Sequence, residues 1–213
     1  MMKISHRGYC VEAKENTLKA IQDAIKNFDM IEIDIQLDKD NNIIVFHDTF
    51  IEKSYIHSLC YKDIKTQYPD LLLLKDLFKN IKYKNVKLYL DLKGESKLAY
   101  ELHSFIVKNN IDITNIWFGS FNINHLEILS KKGVNYKLGL ITNNDFTVDI
   151  LSYIASKYNL KFVCFDWLII NKNIIQFLKS KQINVFCYTL NNDNKKFIFD
   201  YKLDGVVSDI LFE

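Results

Sequence analysis

The sequence predicts an α/β protein of the TIM (β/α)8 barrel class. Three observations carry that prediction. The run Met30-Ile31-Glu32-Ile33-Asp34-Ile35-Gln36 alternates apolar and polar residues with period two, which is the signal of a strand, and a related acid-bearing run returns at Leu88-Tyr89-Leu90-Asp91-Leu92-Lys93. Short apolar runs then alternate with amphipathic stretches, giving eight strand starts at Met2, Met30, Lys87, Ile116, Lys137, Phe162, Asn184 and Asp204. Chains of that rhythm build parallel sheets covered on both faces. The length of 213 residues lies at the small end of the range for such barrels, about 200 to over 400. A doubly wound open sheet is the runner-up.

Taken in order, Met2 to Ser5 is a strand that runs into His6-Arg7-Gly8. Asn16 or Thr17 caps a helix whose stripe is Leu18, Ile21, Ala24, Ile25 and Phe28. The strand from Met30 follows. The apolar run Ile43-Ile44-Val45-Phe46 comes next, after the polar turn 38–42, and ends in His47-Asp48. Residues 50–69 are polar, sprinkled with aromatics and irregular, and read as an excursion over the surface. Leu71 to Ile81 reads as a helix, Lys87 to Lys93 as a strand and Glu95 to Lys108 as a helix. Asn122, Thr147 and Asn171 cap the helices that follow the strands from Ile116, Lys137 and Phe162. Asn184 to Leu190 is a strand, Asn192 to Tyr201 a short helix, and Asp204 to Ser208 the last strand.

Composition fits one domain over residues 1–213. The hydrophobic share of 48% and charged share of 25% are ordinary globular values, and a net charge of +2 gives no footprint for nucleic acid. No apolar run approaches the length of a membrane span, and the N-terminus carries no apolar signal region. Cys10, Cys60, Cys164 and Cys187 follow no zinc spacing, and the last two lie in apolar strand runs as small core residues. A reducing, cytoplasmic setting is expected.

A barrel carries its site at the C-terminal ends of its strands. His6, Arg7, Glu32, Asp34, Asp91, Lys93, Ser120, Asp166, Thr189 and Asp209 all fall there. An edge hairpin with its acids in water is the plainer reading of residues 30–48. In a sheet covered on both faces, however, Glu32 and Asp34 are withdrawn from solvent. A buried charge is costly unless it is paired or holds a metal. Glu32, Asp34 and Asp91 are hard oxygen ligands suited to Mg²⁺ or Ca²⁺. Arg7 and Lys93 are cations for an anion such as phosphate. His6 and His47 have the chemistry of a general acid and base, with Asp48 placed to orient His47. Together they point to cleavage of a phosphate ester. His57, His103 and His125 lack such a setting and read as surface or packing residues, and Trp167 and Tyr188 as packing or a cleft wall.

The ordered set His6-Arg7-Gly8, Glu15-Asn16-Thr17-Leu18, Ile31-Glu32-Ile33-Asp34, His47-Asp48, Leu90-Asp91-Leu92-Lys93, Ser120-Phe121, Tyr188-Thr189-Leu190-Asn191 and Asp204-Gly205-Val206-Val207-Ser208-Asp209 resembles the signature of the glycerophosphodiester phosphodiesterase family. The resemblance implies a TIM barrel with a short insertion after the second strand. It implies a divalent-metal enzyme that releases an alcohol and glycerol 3-phosphate from a small glycerophosphodiester. By position, Glu32, Asp34 and Asp91 are its metal ligands and His6 and His47 its acid/base pair. Arg7 and Lys93 are its phosphate contacts, with Glu15 supporting the site by hydrogen bonding. Asp91 is one methylene shorter than the family's usual Glu. Lys14 stands for a Pro, Leu37 for a Thr, Asn41 for a Gly and Tyr188 for a Trp. The alternatives are a weakened barrel that binds phosphorylated ligands and a phospholipase-like lyase of the same superfamily.

Overall fold

Period-two strands close into a parallel barrel in a computed structural model that describes residues 1–212. The elements in chain order are β1 (Met2–Ser5), α1 (Leu18–Asn27), β2 (Met30–Leu37), β3 (Ile43–Val45), β4 (Phe50–Ile51), β5 (Ser54–Tyr55), α2 (Tyr61–Gln67), β6 (Leu72–Leu73) and α3 (Leu74–Asn80). Then come β7 (Leu88–Leu92), α4 (Lys97–Lys108), β8 (Ile116–Ser120), α5 (Ile123–Ser130), β9 (Lys137–Thr142), α6 (Val148–Tyr158), β10 (Phe162–Asp166), α7 (Lys172–Ser180), β11 (Asn184–Leu190), α8 (Lys195–Ile198) and β12 (Gly205–Ser208). The barrel runs β1-β2-β7-β8-β9-β10-β11-β12 and closes through the parallel pairing of β12 with β1. A doubly wound open sheet is thereby excluded. No helix among the described residues is long and apolar enough to cross a membrane.

Alternation sorts side chains into two apolar layers. Ile31, Ile33 and Ile35 of β2 face outward with Leu88, Leu90 and Leu92 of β7 and join the core under the helices. The inner layer is small and aromatic: Tyr89, Phe162 and Phe186 pack with Ile4, Met30 and Val207. Rings of that size fit inside a small barrel only against positions without side chains. Gly139 is such a position: a Cβ there would lie 2.2 Å from the ring of Phe162, its register partner on β10. Gly119 likewise faces Tyr89, with a Cβ 2.5 Å from its ring.

The expected caps hold. Asn122, Thr147 and Asn171 each accept a hydrogen bond from the first turn of the following helix. At α1 the cap is Thr17, and Asn16 turns inward instead. Three expectations need correction. The last helix, expected over Asn192 to Tyr201, is a single turn, Lys195–Ile198. Residues 50–69 are not an irregular excursion: Ile51, Ile56 and Ile64 gather with Ile44, Leu71 and Leu73 into a small core of their own. The helix expected over Leu71 to Ile81 starts only at Leu74, because Leu72 and Leu73 pair with β3 as a strand. Asn41, where the resemblance leads one to expect Gly, adopts φ +64°, a left-handed conformation that Asn tolerates among non-glycine residues.

Gly139→Ala is predicted to destabilise the fold by about 1–3 kcal/mol through overpacking against Phe162. Denaturant unfolding measures this, and a second change, Phe162→Leu, is predicted to recover part of the loss. An unchanged midpoint in the single variant would contradict the inner-layer packing.

Candidate active site

Each site residue is placed by the strand or strand end that carries it. Glu32 and Asp34 lie two apart on β2, and Asp91 of β7 is the register partner of Asp34. Period two turns all three toward the barrel interior. They are buried, at 4%, 1% and 6% exposure. One carboxylate oxygen of each lies within 4.8 Å of the others. The shorter side chain of Asp91 therefore still reaches the cluster.

Two cations answer these three acids. Lys93, just past the end of β7, places Nζ 2.5 Å from Asp91 Oδ2 and 3.2 Å from Asp34 Oδ1. Arg7 approaches from the end of β1. Its backbone N–H donates to Glu32 Oε2 at 2.8 Å, and one terminal nitrogen donates to both oxygens of Glu15 at 3.0 and 2.9 Å. Arg7 Nε lies 3.3 Å from Asp34 Oδ2, yet it makes no hydrogen bond. The separation is short enough for charge attraction. Arg7 itself sits at φ +56° and is followed by Gly8 at φ +88°. Gly8 packs so closely on α1 that a Cβ would lie 2.8 Å from the Ala20 backbone, so no larger residue fits this turn.

The charges are uneven, and the carboxyl groups feel it differently. Burial, then Asp34 and Asp91, push Glu32 well above the usual carboxylate range. Burial, then repulsion from Asp34 against the attraction of Lys93, brings Asp91 from its ordinary 3.8 to about 6. Burial would raise Asp34 too, but Lys93, Arg7 and the Asn16 amide outweigh it and hold Asp34 below the usual range. Burial works against the charge of Lys93, yet Asp91 and Asp34 raise its pKa.

The histidines face the same cavity, of about 200 Å³, from the ends of β1 and β3. His6 Nδ1 lies 2.7 Å from Asp209 Oδ1, and His47 Nδ1 lies 2.9 Å from Asp48 Oδ1. A carboxylate only accepts, so each Nδ1 carries the proton and each Nε2 is left as the basic nitrogen. Tyr188 and Thr189 of β11 and Phe121 after β8 close the far wall. Lys93 Nζ stands 5.3 Å over the Phe121 ring. All eight residues expected from the sequence thus meet at one mouth: seven line the cavity, and Glu15 stands behind Arg7.

Two partners escape a reading of the sequence. Asn16 is buried at φ +57° and holds Asp34 twice, donating Nδ2–H to Oδ2 at 2.8 Å and accepting the Asp34 backbone N–H at 3.1 Å. Asp209, placed at the mouth by the sequence, is the partner of His6 across 203 residues. Of the remaining histidines, His57 stacks on Tyr55 and His103 bonds Tyr136 Oη. His125 is fully buried between Ser120 Oγ and the Glu95 carbonyl, each at 2.8 Å. Trp167 stacks on Phe197 outside the cavity.

Divalent-metal chemistry can be tested against these side chains. Asp91 Oδ1 is buried with no hydrogen-bond partner, and the cluster presents three carboxylates to two cations. Hard oxygen donors with an unused lone pair and a deficit of positive charge fit a hard divalent cation.

Comparison with known proteins adds a family and a fold. The model of the glycerophosphoryl diester phosphodiesterase family matches residues 6–211. The lysophospholipase D GDPD1 of Homo sapiens is 25% identical over 261 residues, covering 97% of this chain and 82% of that protein. Among solved structures, a glycerophosphodiester phosphodiesterase from Thermotoga maritima matches with TM-score 0.82 and 22% identity, covering 98% of this chain and 94% of its own. An Oleispira antarctica phosphodiesterase in complex with the product sn-glycerol-3-phosphate matches with TM-score 0.86 and 19% identity, covering 99% and 94%.

The raised carboxyl of Asp91 sets a pH dependence. With divalent ions chelated, the folded state keeps a proton on Asp91 where the unfolded chain has lost it. Stability from this group is full below about pH 3.8 and is lost as pH rises through about 6. Asp34 has the opposite sign, and its contribution is lost only as pH falls below the usual carboxylate range. Asp91→Asn is therefore predicted to flatten the fall in unfolding free energy between about pH 4 and 7, and to exceed wild type at pH 7 by up to about 3 kcal/mol. Chemical unfolding across that range measures it, and an equally steep fall in the variant would contradict the assignment.

Proposed function

This chain belongs to the glycerophosphoryl diester phosphodiesterase family, and on that premise we propose that it hydrolyses small glycerophosphodiesters to an alcohol and glycerol 3-phosphate. The observation that carries the reading is the single cavity that joins Glu32, Asp34 and Asp91 to two carboxylate-oriented imidazoles and two cations. Glu32, Asp34 and Asp91 would hold the divalent cation, Mg²⁺ or Ca²⁺. Such an ion supplies charge neutralisation at a phosphoryl oxygen.

The protein groups divide the remaining work. Arg7 and Lys93 bind the phosphate, and Arg7 is held in place by Glu15 behind it and by its own backbone bond to Glu32. Their fixed charges oppose the negative charge that builds on the phosphoryl group. His6 and His47 act as the acid/base pair through Nε2. One takes the proton of the attacking oxygen; the other gives a proton to the alcohol oxygen as its bond to phosphorus breaks. Asp209 and Asp48 set the tautomers and stabilise each imidazolium as it forms.

Turnover of glycerophosphocholine, read as release of glycerol 3-phosphate, tests the proposal. His6→Ala and His47→Ala are each predicted to lower kcat by about 10²- to 10⁴-fold with the unfolding midpoint kept, and a chelator is predicted to abolish turnover until Mg²⁺ or Ca²⁺ is restored. Full activity in either variant would overturn the assignment. Binding of glycerol 3-phosphate without turnover under any divalent ion would favour the non-catalytic barrel, and a cyclic phosphate product would favour the lyase.

A further inference from the structure

We propose that Gln36 is the positioning residue for His47. The inference rests on the reading of His47 as half of the acid/base pair. Gln36 follows Asp34 by two on β2 and is buried at 3% exposure. Its side-chain amide donates one N–H to the Phe46 carbonyl at 2.9 Å and the other to the Asp48 carbonyl at 2.8 Å. Both acceptors are carbonyls, so chemistry fixes which end of the amide faces them. These two carbonyls flank His47. The Phe46 N–H also donates to the Asp34 carbonyl at 3.0 Å.

The consequence is mechanical. The pairing of β3 with β2 ends at Val45, one residue before this segment. Beyond that point Gln36 ties the chain on both sides of His47 to the strand that bears Glu32 and Asp34. It fixes the backbone of Asp48 as well, whose carboxylate orients the imidazole at 2.9 Å. Together with the Phe46–Asp34 backbone bond, this side chain thus sets the distance between the imidazole and the carboxylate cluster.

Gln36→Met keeps the length of the side chain and removes both donors. In this variant kcat for glycerophosphocholine is predicted to fall about 10- to 100-fold, as expected for displacing a catalytic group by about an ångström, while KM changes by less than about threefold. Mg²⁺ affinity by calorimetry is predicted to stay the same, since Glu32, Asp34 and Asp91 are untouched. In a His47→Ala background the same change is predicted to cost less than about twofold, because two residues that act as one unit are not additive. An unchanged kcat, or an equal loss in both backgrounds, would overturn the proposal. Amide hydrogen exchange over Phe46 to Thr49 reads the clamp without activity: it is predicted to speed up at least about tenfold in Gln36→Met, and unaltered exchange would also overturn it. If the wild-type protein turns over no glycerophosphodiester, the acid/base role of His47 fails, while the exchange measurement still decides whether Gln36 holds the segment.

Discussion

Three carboxylates on two neighbouring strands, answered by two cations, are the constraint on which the rest of this molecule depends. Glu32, Asp34 and Asp91 are buried where an unpaired charge is costly. Lys93 bridges Asp91 and Asp34, and Arg7 meets Glu32 through its backbone and Asp34 through its guanidinium. The outcome is graded. Asp34, whose carboxylate lies beside the side chains of both cations, is held low; Asp91 and Glu32 are pushed upward. A site balanced in that way gains most from one further positive charge among its oxygens. It is unstable without its neighbours for the same reason.

The barrel makes that arrangement possible. Strand alternation places Ile31, Ile33 and Ile35 in the outer core and the acids between them inside, and parallel register sets Asp34 beside Asp91. Large rings fill the interior below, with Tyr89 and Phe162 packed against Gly119 and Gly139. The strand ends add the rest of the cavity lining: Arg7 from the tight Gly8 turn, His47 from the end of β3, Tyr188 of β11 and Phe121 after β8. Strands hold the three carboxylates, and segments just past the strand ends hold the two cations and the two histidines.

Much of this was legible because it is local. Period two in residues 30–36 places the acids on one face, and cap residues such as Asn122, Thr147 and Asn171 act within one helical turn. Position at a barrel strand's C-terminal end is enough to bring His6, Arg7, Glu32, Asp34, Asp91 and Lys93 together, whereas Glu15 is reached only through the family resemblance. What could not be read depends on distant partners or on pieces too short to show a period. Asn16 looks like a helix cap beside Thr17, and only the folded chain turns it onto Asp34, 18 residues away. Gln36 looks like one more polar strand residue until the chain doubles back over it. Ile51, Ile56 and Ile64 belong to a two-residue strand, a single turn and a seven-residue helix, so their common core leaves no pattern in the sequence.

The central claim is that Glu32, Asp34 and Asp91 gather one hard cation. Anomalous diffraction from crystals soaked in Mn²⁺, a scattering substitute for Mg²⁺, tests it most directly. A single strong peak is expected in contact with oxygens of all three carboxylates, the Asp91 Oδ1 atom among them. A peak that leaves out Asp91, or manganese bound only elsewhere on the protein, would contradict it.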